Sequence, residues 1–259
     1  MKISLCADAA DMGRRASEIV VDLLTRTPDA VLGLATGSSP EPLYRELIRR
    51  HQEQGVDFSQ ATAFTLDEYV GLPAEHEQSY RSTIRRELTD AVGLPPQQLH
   101  TPQGQAEDLD AEARRYEAAL EAAGGVDVQV LGLGANGHIG FNEPSSSLGS
   151  QTRVKTLSAR TREDNARFFA SPDDVPHLCL TQGLGTIGRS KLALMLVQGE
   201  HKAEAVHRMV EGPVSASCPA SVLQFHRRAV VLLDEAAASR LEDLEYYRHV
   251  QSIQQSLEQ

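Results

Sequence analysis

The sequence predicts an α/β fold: a mainly parallel sheet with helices covering both faces. Three observations predict it. Short apolar runs alternate along the chain with amphipathic segments of helical period. Strands that alternate with helices in this way pair in parallel and are buried on both sides. Polar, glycine-rich segments close four of the apolar runs, where strands of such a sheet empty into ligand-binding loops. The 259 residues suffice for a large core. No internal repeat, low-complexity tract or linker divides them, so residues 1–259 are read as one domain.

Taken in order, "ISLCA" (3–7) is the first strand. The helix over 11–26 places Met12, Ala16, Ile19, Val20, Leu23 and Leu24 on one face. "AVLGLAT" (30–36) is a buried strand, followed by a helix that Ser39 is expected to cap, with Pro40 in its first turn. "ATAFTLD" (61–67) is the next strand, and helical patterns follow near 79–92 and 107–123. "VDVQVLGLG" (126–134) is a strand that ends in glycines. "RVKTL" (153–157) fits a strand and "TREDNARFF" (161–169) a short helix. "KLALMLVQG" (191–199) and "RAVVLLD" (228–234) are strands on either side of a helix over 200–210, and the tail to Gln259 reads helical.

The formal net charge is −11, without a basic tract, which argues against binding nucleic acid or an acidic membrane surface. Cys6, Cys179 and Cys218 are far apart and form no CxxC pair, so neither a disulfide framework nor a zinc ribbon is expected. There is no signal-peptide-like start and no apolar run of membrane-spanning length. The expectation is a soluble cytoplasmic protein.

Four strand ends could carry chemistry. In "LATGSSPEPLY", residues Thr36, Gly37, Ser38 and Ser39 lead into a helix, which suits an anion bound by backbone N–H groups and hydroxyls; a plain capped turn fits equally well. Arg167 and Lys202 are candidate cations for that anion, although surface cations are usually only solvated. Asp67 stands where a buried strand meets its loop and is a candidate general base, with a turn cap as the alternative. Glu68 points elsewhere and is assigned no chemistry. In "GLGANGHIGFNEP" (132–144), His138 is the natural proton carrier near neutral pH, Glu143 can fix its tautomer, and Asn136 can orient a hydroxyl. The glycines are read as clearing space for a substrate. "GLGANG" is not a dinucleotide fingerprint, because no helix follows it. A metal site of Asp67, His138 and Glu143 lacks an HExxH motif and a second clustered histidine, so no metal is expected.

At this point the chain resembles the glucosamine-6-phosphate deaminase family. The resemblance covers almost the whole sequence and rests on "LGLATGSSPEPLY", "LDEYVGL", "GLGANGHIGFNEP", "TREDNARFF", "TQGLGTI" and "PASVLQFH". It implies a Rossmann-like fold and a cofactor-free conversion of glucosamine 6-phosphate and water to fructose 6-phosphate and ammonia. It implies Asp67 as the base that moves a proton from C2 to C1, His138 as the ring-opening proton carrier and Glu143 as its partner. Asn136 stands where some members have aspartate and others asparagine. Thr36 to Ser39, Arg167 and Lys202 would hold the phosphate. Ser146, Arg153 and Lys155 fall where some hexameric members bind N-acetylglucosamine 6-phosphate as an allosteric activator, so a homo-oligomer is also an expectation. The polar stretch 157–174 is read as a mobile lid. Two other readings compete: a 6-phosphogluconolactonase-like hydrolase and a non-catalytic sugar-phosphate sensor.

Overall fold

The computed structural model describes residues 1–257. Its elements, in chain order, are β1 (Lys2–Cys6), α1 (Ala9–Arg26), β2 (Val31–Leu34), α2 (Glu41–Gln54), β3 (Thr62–Thr65), β4 (Asp67–Tyr69), α3 (Tyr80–Ile84), β5 (Leu99–His100), α4 (Leu109–Ala122), β6 (Val128–Leu131), β7 (Arg153–Thr156), α5 (Ala159–Asn165), β8 (Leu178–Thr181), α6 (Leu184–Gly188), β9 (Leu192–Val197), α7 (Ala203–Val210), β10 (Ala229–Asp234) and α8 (Leu244–Leu257). The helical reading of the tail holds to Leu257; Glu258 and Gln259 lie outside the described residues.

Seven strands form one sheet in the order β1-β10-β9-β6-β2-β3-β5, and every pairing is parallel. Both faces are covered, and strand residues divide between them with period two. On β9, Leu192, Leu194 and Leu196 join the core under α1 and α2, whereas Ala193, Met195 and Val197 face α6 and α7. Each such fully buried aliphatic side chain contributes about 1.5–3 kcal/mol. From β2 the chain builds outward through β3 to β5. It then returns to β6 on the other side of β2 and builds outward the opposite way. The strand order therefore reverses between β2 and β6, and a ligand crevice is expected beyond their carboxyl ends.

Three expected boundaries are corrected. The strand read over 61–67 ends at Thr65, and Asp67 begins a second, antiparallel sheet in the order β4-β8-β7. Leu66 is the joint. Its N–H donates to the Leu34 carbonyl at 2.8 Å, and its carbonyl accepts the Gln182 N–H at 2.9 Å. One residue thus passes the chain from the large sheet to the small one. Ser39 does not cap α2: Pro40 occupies the cap position, with no side-chain cap hydrogen bond among the described residues. Asp8 caps α1 instead, accepting the Asp11 N–H at 2.8 Å and starting that helix two residues before the expected position.

Candidate active site

The site is built on the strand ends at the reversal and on the small sheet beside it. Asp67 opens β4 opposite Thr181 of β8 and is only 5% exposed. Burial pushes its carboxyl well above the ordinary value of 3.8; the neighbouring Glu68 adds to the rise, and a hydrogen bond with Thr181 opposes it. Glu68, assigned no chemistry above, has a structural task. It accepts the backbone N–H groups of Tyr69 at 2.8 Å, Tyr80 at 2.9 Å and Arg81 at 3.0 Å, which fixes the start of α3 to β4.

The loop after β6 folds over Asp67. Gly140 has φ +53°, and a Cβ there would lie 3.0 Å from Thr181 Oγ1 and 3.4 Å from Asp67 Oδ2. Gly134 seats the His138 imidazole: a Cβ would fall 2.3 Å from the ring. The expectation that these glycines clear space for a substrate is corrected, since the space at both positions is filled by the protein's own side chains.

Glu143 is buried at the centre of a hydrogen-bond cluster. Asn136 Nδ2 donates to its Oε2 at 2.7 Å, while Asn136 Oδ1 accepts the His138 N–H at 3.1 Å. His138 Nδ1 is 3.7 Å from Oε2, beyond hydrogen-bonding distance, and this buried nitrogen has no hydrogen-bond partner among the described residues. The expected Glu143–histidine hydrogen bond is thus an ionic-range contact here, with the Asn136 amide nearer. The other oxygen, Oε1, accepts Ser158 Oγ at 3.0 Å and a shorter bond from Thr161 Oγ1. Burial works to raise the Glu143 carboxyl, but His138, Thr161 and Asn136 outweigh it and hold it down at about 2.

The predicted anion-binding residues fall in two groups. Thr36 to Ser39 follow β2, with Gly37 and Ser38 exposed and Ser39 against Gly132 of the β6 loop. Lys202 follows β9, half-buried. Burial pulls its ammonium below the ordinary value; Asp164 opposes this, and the positive charges of Arg160 and Arg167 add to it. Arg167 stacks on Phe168 at 4.7 Å from the ring centroid. No hydrogen bond or ion pair joins the two groups among the described residues. Ser146 is buried, and its Oγ has no hydrogen-bond partner among the described residues. Arg153 Nη1 donates to Asn142 Oδ1 at 2.9 Å. Lys155 lies two residues further along β7, on the same face as Arg153. No group of three His, Cys, Asp or Glu side chains among the described residues could hold a metal ion. None of the described helices is long and apolar enough to cross a membrane.

Sequence reasoning missed Ser158, Thr161 and Thr181. The first two had a signal: a serine three positions before a threonine at a helix start is N-cap spacing, and Ser158 does cap α5 by accepting the Thr161 N–H. Thr181 had none, because its place opposite Asp67 depends on strand pairing.

The all-parallel sheet, wound in both directions from β2 and β6, defines a Rossmann-like α/β protein. Residues 6–232 match the family described as glucosamine-6-phosphate isomerases/6-phosphogluconolactonase, and the chain belongs to this family. It is 55% identical to the glucosamine-6-phosphate deaminase of Pseudarthrobacter chlorophenolicus over 249 residues, 96% of each chain. It is 51% identical to that of Shewanella loihica over 258 residues, covering 100% of this chain and 96% of the relative. Among solved structures, a monomeric glucosamine-6-phosphate deaminase superposes with a TM-score of 0.90 at 45% identity, over 92% of this chain and 99% of that one. A 6-phosphogluconolactonase from Leishmania guyanensis shares the fold with a TM-score of 0.71 at 22% identity, over 92% of this chain and 98% of that one.

Proposed function

We propose that this protein is a cytoplasmic glucosamine-6-phosphate deaminase that releases ammonia and forms fructose 6-phosphate. The observation that carries the reading is the buried Asp67 carboxyl lying directly under the His138–Glu143 loop at the edge of the strand-reversal crevice. His138, partnered by Glu143, carries a proton from O1 to O5 and opens the ring, and Asn136 orients the carboxylate and the loop. Asp67 takes the proton from C2 while the carbonyl oxygen at C1 is protonated, and then returns a proton to C1. The resulting C2 imine adds water and loses ammonia. A base raised by burial suits this task, because one sheltered carboxyl can act first as base and then as acid. The reaction balances without a cofactor. Thr36 to Ser39, Arg167 and Lys202 hold the phosphate. The single domain carries a mobile cover over 157–174, which brings Arg167 to the substrate.

A coupled assay of purified protein tests this reading: ammonia and fructose 6-phosphate should appear in equal amounts from glucosamine 6-phosphate. Hydrolysis of 6-phosphogluconolactone instead would favour the lactonase reading, and binding without turnover the sensor. A regulatory reading is supported by the buried Ser146 hydroxyl, which has no hydrogen-bond partner among the described residues, and by two cations, Arg153 and Lys155, on one face of β7. These residues form an effector site for N-acetylglucosamine 6-phosphate, completed in a homo-oligomer. Rate against substrate should then be sigmoidal and become hyperbolic with the acetylated sugar. A hyperbolic curve that the acetylated sugar leaves unchanged contradicts this.

A further inference from the structure

We infer that Ser158 and Thr161, at the start of α5, are positioning residues for the Glu143 carboxylate, so that the segment 157–174 sets up ring opening as well as covering the substrate. The inference rests on the deaminase reading above. Its starting point is a mismatch between exposure and contact. Most of α5 faces solvent, and Thr161 is its buried residue. The Thr161 hydroxyl points inward to Glu143 Oε1, and Ser158 Oγ reaches the same oxygen at 3.0 Å. The two hydroxyls are also 2.9 Å apart.

Proton counting narrows the roles. Three contacts are present, but the two hydroxyls hold only two protons, and an ionised carboxylate can only accept. Thr161 donates to Glu143 through the shorter contact. Ser158 donates to Glu143 or to Thr161 Oγ1, while its own oxygen accepts the Thr161 N–H at 3.1 Å and caps the helix. With Oε1 held in this way, Oε2 is turned to the loop that carries Asn136, at 2.7 Å, and His138, at 3.7 Å. Arg153 does not take part; it bonds the neighbouring Asn142. The donors also favour the ionised carboxylate, in keeping with its depressed titration.

A latch that only closed the cover would act on substrate binding, since Arg167 travels with the same segment. A positioning role acts on the ring-opening step. The test compares wild type, Thr161→Val, Thr161→Ser and Ser158→Ala on glucosamine 6-phosphate with and without deuterium at C2. In Thr161→Val, kcat should fall roughly 10- to 100-fold, the range for losing a hydrogen bond to a charged group. The Michaelis constant should change much less. The isotope effect on turnover should shrink toward unity, because the labelled bond then breaks after the slow step. Ser158→Ala should show the same pattern more weakly. Thr161→Ser, which keeps the hydroxyl, should restore wild-type values. Should Thr161→Val not fold, Ser158→Ala decides alone: an unchanged kcat and isotope effect there overturns the inference. So does a Thr161→Val protein with a raised Michaelis constant but wild-type kcat and isotope effect. Failure of the wild type to release ammonia overturns the deaminase reading and this inference with it.

Discussion

Asp67 is costly to the fold as well as central to the proposed chemistry. Its native carboxyl titrates above its unfolded value because burial disfavours the charge. The native state therefore binds the proton more tightly than the unfolded chain does. Stability falls as pH rises from about 3.8 toward the raised native value, and it stays lower above it. Asp67→Asn removes the buried charge while keeping the shape. It should lower turnover by about 10²–10⁴-fold, the scale of a general base. It should also raise the melting temperature at pH 7, with the gain vanishing below about pH 3.8, where both states of the wild type are protonated. Turnover with pH-dependent melting curves checks both halves, and a variant less stable than wild type at pH 7 would contradict the second. The candidate residues Asp67, His138 and Glu143 were legible in the sequence because Asp67 closes one readable apolar run, and His138 and Glu143 lie in the glycine-rich segment that follows another. The bond from Asn136 to Glu143 was not, since it depends on how one loop folds back on itself.

At the scale of elements, the small sheet and α3 hold Asp67 in place, and Glu68 joins them. Its Oε1 takes the Tyr69 and Tyr80 N–H groups, and its Oε2 takes that of Arg81. In Glu68→Gln one oxygen remains, and the amide nitrogen faces an N–H it cannot accept. Leaving a buried donor unpaired should cost about 1–3 kcal/mol, read by denaturant unfolding. The variant also removes a negative charge that raises Asp67. The acid limb of kcat/KM should therefore move to lower pH as the Asp67 carboxyl descends. An unmoved limb would show that Glu68 does not act on Asp67. The strands of the large sheet other than β5 were legible because strands buried on both faces read as continuous apolar runs; β5, only Leu99 and His100, is too short to show one. The small sheet was read only in part. Its strands span three or four residues, β8 follows the polar stretch 157–174, and antiparallel pairing with β4 joins segments more than a hundred positions apart.

At the scale of the whole molecule, the chain is acidic, with net charge −11, and Lys202, which follows β9, and Arg167 are its proposed cations for an anionic sugar. The order of strands, which sets the reversal between β2 and β6, was not legible: periodicity locates strands but does not choose their neighbours. That order brings the loops after β2, β6 and β9 to one edge, with Asp67 beneath the middle one. The central claim is that this sheltered carboxyl carries one proton from C2 to C1. The most direct measurement is the fate of deuterium placed at C2 of glucosamine 6-phosphate, followed by NMR of the product in ordinary water. If Asp67 acts in this way, a fraction of the label arrives at C1 of fructose 6-phosphate. Complete loss of the label to solvent while the wild-type protein turns over would contradict it.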